Sequence, residues 1–347
     1  MTSTTPPAAA PPRKARVLSG IQPTGEMHIG NYLGAVRTWQ KQVASGEEET
    51  LFCVVDAHAI TVPYKPAELR ERILTLATDL IACGLEPSKT TLFVQSDVRE
   101  HTELAWYLAS VTPMGDLERM TQFKDKSAEA ESVSSAYFTY PVLMSADILL
   151  YKATIVPVGD DQRQHLELAN DIAEKFNHDY GVDFFPRIEA LIPPETARIM
   201  SLRDGTKKMS KSDPSDQSRI NLNDDADTIA AKIRRAKTDS EPLPADVEGL
   251  EGRPEAANLV SIFAAMTEQK PADVLAANAG SGFGPFKERL VEVLVEHLTP
   301  INARAQALLA EPGHVERILQ DGARRAAAIA DPIVDEAERL VGFLPRG

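Results

Sequence analysis

The chain has 347 residues, 43% of them hydrophobic and 25% charged, with a formal net charge of −14. That length and mixture suit a soluble globular protein of two domains or one elaborate one, with a sizeable core. The acidic balance excludes a protein that coats nucleic acid indiscriminately, so a nucleic-acid partner has to meet a local basic surface. No apolar run reaches the roughly 18 residues of a membrane span. The two cysteines, Cys53 and Cys83, sit among apolar neighbours and read as core thiols of a reducing compartment, not as a disulfide or metal framework.

Residues 1–15 are rich in Ala, Pro and Thr without an apolar signal-peptide run, and read as a disordered tail. Val17-Leu18-Ser19 is a short apolar run broken at Gly20, followed by helical spacing through Tyr32, Leu33, Val36 and Trp39. Leu51 to Val55 has the length and continuity of a buried strand. Pro66 opens a helix that carries Leu69, Ile73, Leu76 and Leu80 on one side and stops at Gly84. Leu92-Phe93-Val94 precedes a helix around Trp106, Ile155 to Val158 reads as a further strand, and Ile199 to Leu202 as the last. Buried strands alternating with helices predict an α/β fold, a doubly wound parallel sheet covered on both faces. After about Asp213 strand runs become scarce. Long helical stretches such as Phe286 to Leu309 and Val315 to Leu344 predict a mainly helical second domain.

Three constellations carry chemistry. Gly20-Ile21-Gln22-Pro23-Thr24-Gly25 with His28-Ile29-Gly30-Asn31 lies between the first strand and its helix, where a doubly wound sheet binds phosphates. Gly30 would leave room for a flat base, and His28 and Asn31 carry donors for phosphate oxygens. Thr206-Lys207-Lys208-Met209-Ser210-Lys211-Ser212 has the composition of a solvated loop, and such a loop can close two cations over a polyphosphate. Tyr140, Met144 and Asp147 fall at i, i+4 and i+7, one helix face offering an aromatic ring, a thioether and a carboxylate. That face fits a flat apolar ligand with one N–H or O–H, and equally a core face with a paired acid. Gly159-Asp160-Asp161-Gln162 follows a strand and opens a helix, a second sheet-edge site.

The turn after the first strand and the Lys-Met-Ser-Lys-Ser loop together resemble the paired signatures of class I aminoacyl-tRNA synthetases. Gly-Ile-Gln-Pro-Thr-Gly, Val54-Val55-Asp56-Ala57-His58-Ala59, Glu118 to Lys124, Val158 to Gln162 and Ala197 to Ser201 narrow the likeness to the bacterial tryptophanyl-tRNA synthetase family, over about Val17 to Leu344. The resemblance implies a Rossmann-like catalytic domain over 16–203, a mobile loop over 204–216, and a helical anticodon-binding domain over 217–347 whose last helix can pack back on the first. It implies ATP-dependent activation of tryptophan and transfer to tRNA(Trp), with Mg2+ carried by ATP and no metal site of its own. It also implies a homodimer in the cytoplasm, away from membranes.

By the same likeness, Asp147 accepts the indole N–H, Met144 shares its face, and Tyr140 and Gln162 hold the ammonium. Gln22, Pro23, Thr24, Gly30 and Asn31 line the ATP site, with Gly159, Asp160 and Asp161 on the ribose side. Backbone at Ile199 and Met200 meets adenine, and Met209, Ser210 and Ser212 belong to the closing loop. Lys126, Lys208 and Lys211 grip the leaving phosphates. His58 faces the site or is a structural histidine beside the second strand. Two positions depart from the family's pattern: Asn31 replaces its final His, which turns the phosphate role over to an amide, and His28 stands where relatives often carry Thr. An analogue without the N–H, such as phenylalanine, should leave Asp147 unpaired in a dry pocket, so no editing domain is needed. Lys232, Arg234, Arg235 and Lys237 form the densest basic cluster of the helical half and are expected to meet tRNA phosphates. A tyrosyl-tRNA synthetase and a non-enzymatic nucleotide-binding regulator that kept the fold stand as rival readings.

Overall fold

The computed structural model describes residues 14–129, 133–159, 162–191, 198–311 and 313–344, without the side chains of 126–129. Five strands, β1 (Arg16–Ile21), β2 (Glu49–Val54), β3 (Thr91–Val94), β4 (Ile155–Pro157) and β5 (Glu189–Leu191), form one parallel sheet in the order β3-β2-β1-β4-β5. The chain winds outward from β1 to β3, then returns to the other side of β1, so β1 and β4 flank the switch point where such sheets bind ligands. These two strands pair at Val17↔Ile155; further along, the Ser19 hydroxyl donates to the Pro157 carbonyl at 3.0 Å. A side chain thus holds the rim of the crevice.

Strand alternation sorts the core. Phe52, Val54, Leu92 and Val94 face one apolar cluster, while Leu18, Leu51, Cys53 and Phe93 face another. The first four expected strands are present. The fifth is a correction: Ile199 to Leu202 lies outside the sheet, and the true edge strand is β5, whose three residues are all exposed. An edge strand exposed along its length has no apolar run to reveal it.

The helices of the first half are α1 (Ile29–Asn31), which continues through a π-helical turn (Tyr32–Val36) into α2 (Arg37–Ser45), then α3 (Asp56–Ala59), α4 (Pro66–Ala82), α5 (Glu100–Val111), α6 (Met114–Glu118), α7 (Thr121–Glu129), α8 (Ser135–Leu149) and α9 (Arg163–Tyr180). Pro66 is pre-set for the first turn of α4, and Gly84, at φ +95°, lets the chain reverse after it. The second half supplies α10 (Ala226–Arg235), α11 (Pro254–Thr267), α12 (Pro271–Asn278), α13 (Phe283–Leu309) and α14 (His314–Val341). Asp225 caps α10 by accepting the Thr228 N–H at 2.7 Å.

One core joins the halves: Phe52, Leu76 and Leu80 share a cluster with Ile229, Ile233, Leu259, Phe286 and Leu290. On the other face α5, α8 and α9 pack with α14, which presents Ala323, Ala326, Ala330 and Ala337. These small residues let α14 lie close on β3. At Gly322 the approach is so tight that a Cβ would collide with the Leu92 carbonyl.

Candidate active site

β1 runs out at Ile21 into an exposed Gln22, a buried Pro23 and an exposed Thr24, whose N–H donates to the Gln22 carbonyl at 2.9 Å. Gly25 follows at φ +137°, a backbone state that favours glycine. The next residues pair antiparallel with the stretch that follows the lysine loop: Ile29 N–H donates to Ile220 O, and Leu222 N–H to Met27 O, each at 2.9 Å. His28 is buried within this pairing. Burial, then the positive charge of Lys211, Arg219 and Lys208, lowers its pKa to about 3, so the ring is neutral near pH 7. Its backbone N–H donates to Asn31 Oδ1 at 3.2 Å. A Cβ at position 30 would lie 2.9 Å from His28 Nδ1 and 3.6 Å from Met209 Cβ. The room that Gly30 leaves is therefore bounded by the imidazole and by the loop methionine.

The lysine loop is tied down at its centre. Ser201 N–H donates to Lys207 O at 2.8 Å, and Met209 N–H donates to Ile199 O at 3.0 Å. Residues 199–201 thus form a local antiparallel bridge with the loop, which explains why an apolar run there is not a sheet strand. Met209 is buried in the core while Lys208 stays exposed; Ser210 and Ser212 face each other at 2.9 Å. Lys211 is half-buried, its Cβ 3.4 Å from where a Cβ on Gly25 would stand. The first motif and the loop therefore meet at two points, Gly25 with Lys211 and Gly30 with Met209. Burial lowers the Lys211 pKa to about 8 against the pull of Asp79, and burial raises Asp79 to about 7, with Lys211 opposing and Glu26 adding to the rise. Met200 is held by α11: its N–H donates to Asn258 Oδ1 at 2.8 Å, and its carbonyl accepts from Asn258 Nδ2 at 2.9 Å. Its N–H is thereby committed, and its carbonyl keeps a second lone pair.

Tyr140, Met144 and Asp147 share a face of α8, as their spacing predicts. Asp147 is not a lone acceptor. Its Oδ1 accepts Gln95 Nε2 at 2.7 Å and His101 Nδ1 at 2.6 Å, and its Oδ2 accepts His58 Nε2 at 2.8 Å. Burial alone would raise this carboxyl; the hydrogen bond from His101 and the proximity of His58 outweigh it and hold the pKa at about 2. The expectation of an anion left unpaired by phenylalanine is corrected accordingly, because three protein donors already satisfy it. The Tyr140 hydroxyl lies 2.6 Å from Gln122 Oε1 and 2.7 Å from His165 Nε2, with the His58 ring set edge-on to Tyr140. Gln162 heads α9, its N–H donating to the exposed Gly159 at 3.0 Å. Asp160, Asp161 and the side chain of Lys126 lie outside the described residues.

The basic cluster divides. Lys232 is 1% exposed and its Nζ lies 2.7 Å from both Asp216 and Asp224. It cannot reach a tRNA phosphate without leaving its buried pairing with Asp224 and its contact with the exposed Asp216, which corrects that assignment. Lys237 pairs with Glu255 at 2.7 Å at the surface, and Arg234 and Arg235 are exposed.

Several residues went unread in the sequence. Gln95 follows directly on β3, so the sheet-edge rule could have found it. Asp79, His101, Arg219 and Asn258 carry no such signal, since each reaches the site from a separate element. Among the described residues no group of three or more His, Cys, Asp or Glu side chains is arranged to hold a metal ion, and no helix is long and apolar enough to cross a membrane.

With this geometry in hand, known proteins place the chain. The family described as tRNA synthetases class I (W and Y) matches residues 11–299. A tryptophan–tRNA ligase of Caulobacter vibrioides is 53% identical over 337 residues, 96% of each chain. Among solved structures, tryptophanyl-tRNA synthetase from Mycoplasma pneumoniae superimposes with a TM-score of 0.85 at 31% identity, covering 95% of this chain and 98% of that one. The Campylobacter jejuni enzyme complexed with ADP and tryptophan gives 0.81 at 34% identity, covering 94% and 100%.

Proposed function

The chain belongs to the class I tRNA synthetases of the tryptophan and tyrosine family, and we propose that it is a tryptophan–tRNA ligase. The observation that carries this reading is the 53% identity, over nearly the whole of both chains, with a tryptophan–tRNA ligase. The relatives lend no support to the tyrosine reading or to a non-enzymatic regulator.

In the proposed reaction, the carboxylate of tryptophan attacks the α-phosphorus of ATP, which carries Mg2+. The bond to the β-phosphate breaks, pyrophosphate leaves, and tryptophanyl-adenylate remains. The 2′-hydroxyl of the terminal adenosine of tRNA(Trp) then attacks the mixed anhydride and releases AMP. Neither step requires a nucleophile from the protein, so this chain's residues act by positioning and by charge. Gln22, Pro23, Thr24, Gly30 and Asn31, at the carboxyl end of β1, would cradle the nucleotide, with Gly159, Asp160 and Asp161 on the ribose side and Ile199 beside adenine. Exposed Lys208 and half-buried Lys211, with Lys126, would draw charge off the leaving pyrophosphate, and Ser210 and Ser212 shape the turn that carries two of these lysines. Lys208→Ala is expected to lower kcat by about 10²–10³, the scale of one lost oxyanion donor. Asp147 would read the indole N–H beside Met144, and Tyr140 and Gln162 would hold the ammonium. His28 would act by shape, as a neutral ring under Gly30.

We assign 16–203 to catalysis, 204–216 to loop closure and 217–347 to tRNA, with Arg234 and Arg235 the basic residues best placed to meet phosphate. A homodimer in the cytoplasm fits this reading. Trp106 is 75% exposed on α5 and Met114 64% exposed on α6, apolar area that a second copy would cover. The deciding experiment is pyrophosphate exchange with each of the twenty amino acids, followed by charging of tRNA. Exchange with tryptophan alone is the expected result; exchange driven by tyrosine, or by none of them, would overturn the proposal.

A further inference from the structure

We infer that Gln95 and His101 are positioning residues for indole recognition: they occupy Oδ1 of Asp147 from behind and turn Oδ2 to the ligand. The inference rests on the proposal that Asp147 faces the indole. A carboxylate oxygen has about two lone-pair directions. Oδ1 spends both, on Gln95 Nε2 and His101 Nδ1, whereas Oδ2 accepts a single bond from His58 Nε2 and keeps one direction open. The carboxylate plane is thereby set by the protein before any ligand arrives.

Each donor is itself held from its far side. Gln95 Oε1 accepts the Ala57 N–H at 3.1 Å, so the amide cannot turn over and present oxygen to oxygen. His101 Nε2 lies 2.8 Å from the Tyr151 hydroxyl, and burial keeps that phenol protonated. In the neutral ring, Nε2 accepts a hydrogen bond from the phenol, which leaves the ring's own proton on Nδ1, toward Asp147. Phe93 packs on both rings, with centroids 5.9 Å from His101 and 5.7 Å from Tyr151. Gln95, His101, Asp147 and Tyr151 are all buried. The other titratable groups around this network are His58 of α3 and Cys53 of β2, with the carboxyls of Asp56, Asp97 and Glu100 acting on Cys53 and Tyr151. Asp56 is itself committed to the Ser96 N–H and hydroxyl, at 3.0 and 2.5 Å. The result is an acceptor fixed in charge and in direction, which suits a ligand that offers one N–H.

The test is tryptophan-dependent pyrophosphate exchange between pH 5.5 and 8 with His101→Leu, His101→Asn, Gln95→Met and Asp147→Ala, each checked by thermal melting. In His101→Leu and Gln95→Met the KM for tryptophan should rise about tenfold or more, the scale of a lost hydrogen bond to a charged group, while kcat and the KM for ATP hold. The rise should hold across this range, because a carboxyl held at about 2 stays ionised above pH 5.5 even after one donor is lost. His101→Asn, whose Nδ2 can stand in for Nδ1, should recover most of the affinity. Folded His101→Leu and Gln95→Met proteins with the parental KM would refute the inference, provided Asp147→Ala has lost tryptophan. A parental KM in Asp147→Ala would sink the assignment of Asp147 to the indole, and this inference with it. Should His101→Leu fail to fold, Gln95→Met decides alone.

Discussion

Lys211 is a cation kept short of full charge. Its stem lies over Gly25, and its ammonium, with a pKa of about 8, feels the carboxylate of Asp79. Because kcat/KM reports ionisations of the free enzyme, kcat/KM for ATP is expected to fall above pH 8 as that charge is lost. Lys211→Arg should push the alkaline limb out of range, and Asp79→Asn should move it to lower pH, since Asp79 supports the charge. An alkaline limb that ignores both substitutions would remove Lys211 from phosphate binding. His28 governs the opposite end of the scale. Its folded pKa of about 3 lies below the ordinary 6.5, so between these values the unfolded chain binds a proton that the folded one refuses. Its contribution to stability is full above about pH 6.5 and is lost as pH falls toward 3. Urea titrations of the parent and of His28→Asn across that range would measure it, and the parent should show the steeper acid loss. Asp147 teaches a related lesson about selectivity. With three donors already in place, and Asp147 facing the indole as proposed, a ligand lacking the N–H would forgo one charge-assisted bond, about 1.5–3 kcal/mol, and would not strand a naked anion.

At the level of elements, the segment 216–224 ties the first motif to α10. Its middle pairs with Met27 and Ile29, while Asp216 and Asp224 grip Lys232 of α10. Lys232→Met is expected to destabilise the protein by about 3 kcal/mol, the cost of stranding the one buried carboxylate, Asp224, and Asp224→Asn in the same chain should restore part of it. Denaturant melts of the single and double variants measure the coupling; additive losses would mean that the triad does not act as a unit. The sequence held a sign of this burial. Ile229, Lys232, Ile233 and Ala236 fall at i, i+3, i+4 and i+7, which puts the lysine on the apolar stripe of α10, and composition alone led to reading it as surface charge. Elsewhere legibility followed burial and contiguity. β1 to β4 announced themselves because strands covered on both faces are continuous apolar runs, whereas β5 is exposed and silent. The first motif, the lysine loop and the α8 face were readable because each is one stretch of chain. Among the donors around Asp147, His58 was named and Gln95 stood at a sheet edge, but His101 and the Asn258 clamp on Met200 were not readable, because each joins residues that only tertiary packing brings together.

For the molecule as a whole, a net charge of −14 makes any tRNA surface a local exception. Arg234→Ser with Arg235→Ser should weaken tRNA binding and reduce its log–log salt slope by roughly one to two, leaving tryptophan-dependent exchange untouched. An unchanged slope would move the tRNA surface elsewhere. The closeness of α14 to β3 has an outcome in time as well as in space. β3 is a lateral strand of the sheet, and its cover, α14, begins roughly 220 residues after β3 ends. At about 5–20 residues per second the ribosome leaves that flank bare for on the order of 10–40 s. During this interval its unpaired N–H and C=O groups can recruit a strand from another nascent chain. A polypeptide stopped at Gly313 should therefore accumulate as aggregate, and Gly322→Ala, which bars the helix from seating, should do so in milder form; light scattering during cell-free translation would register both.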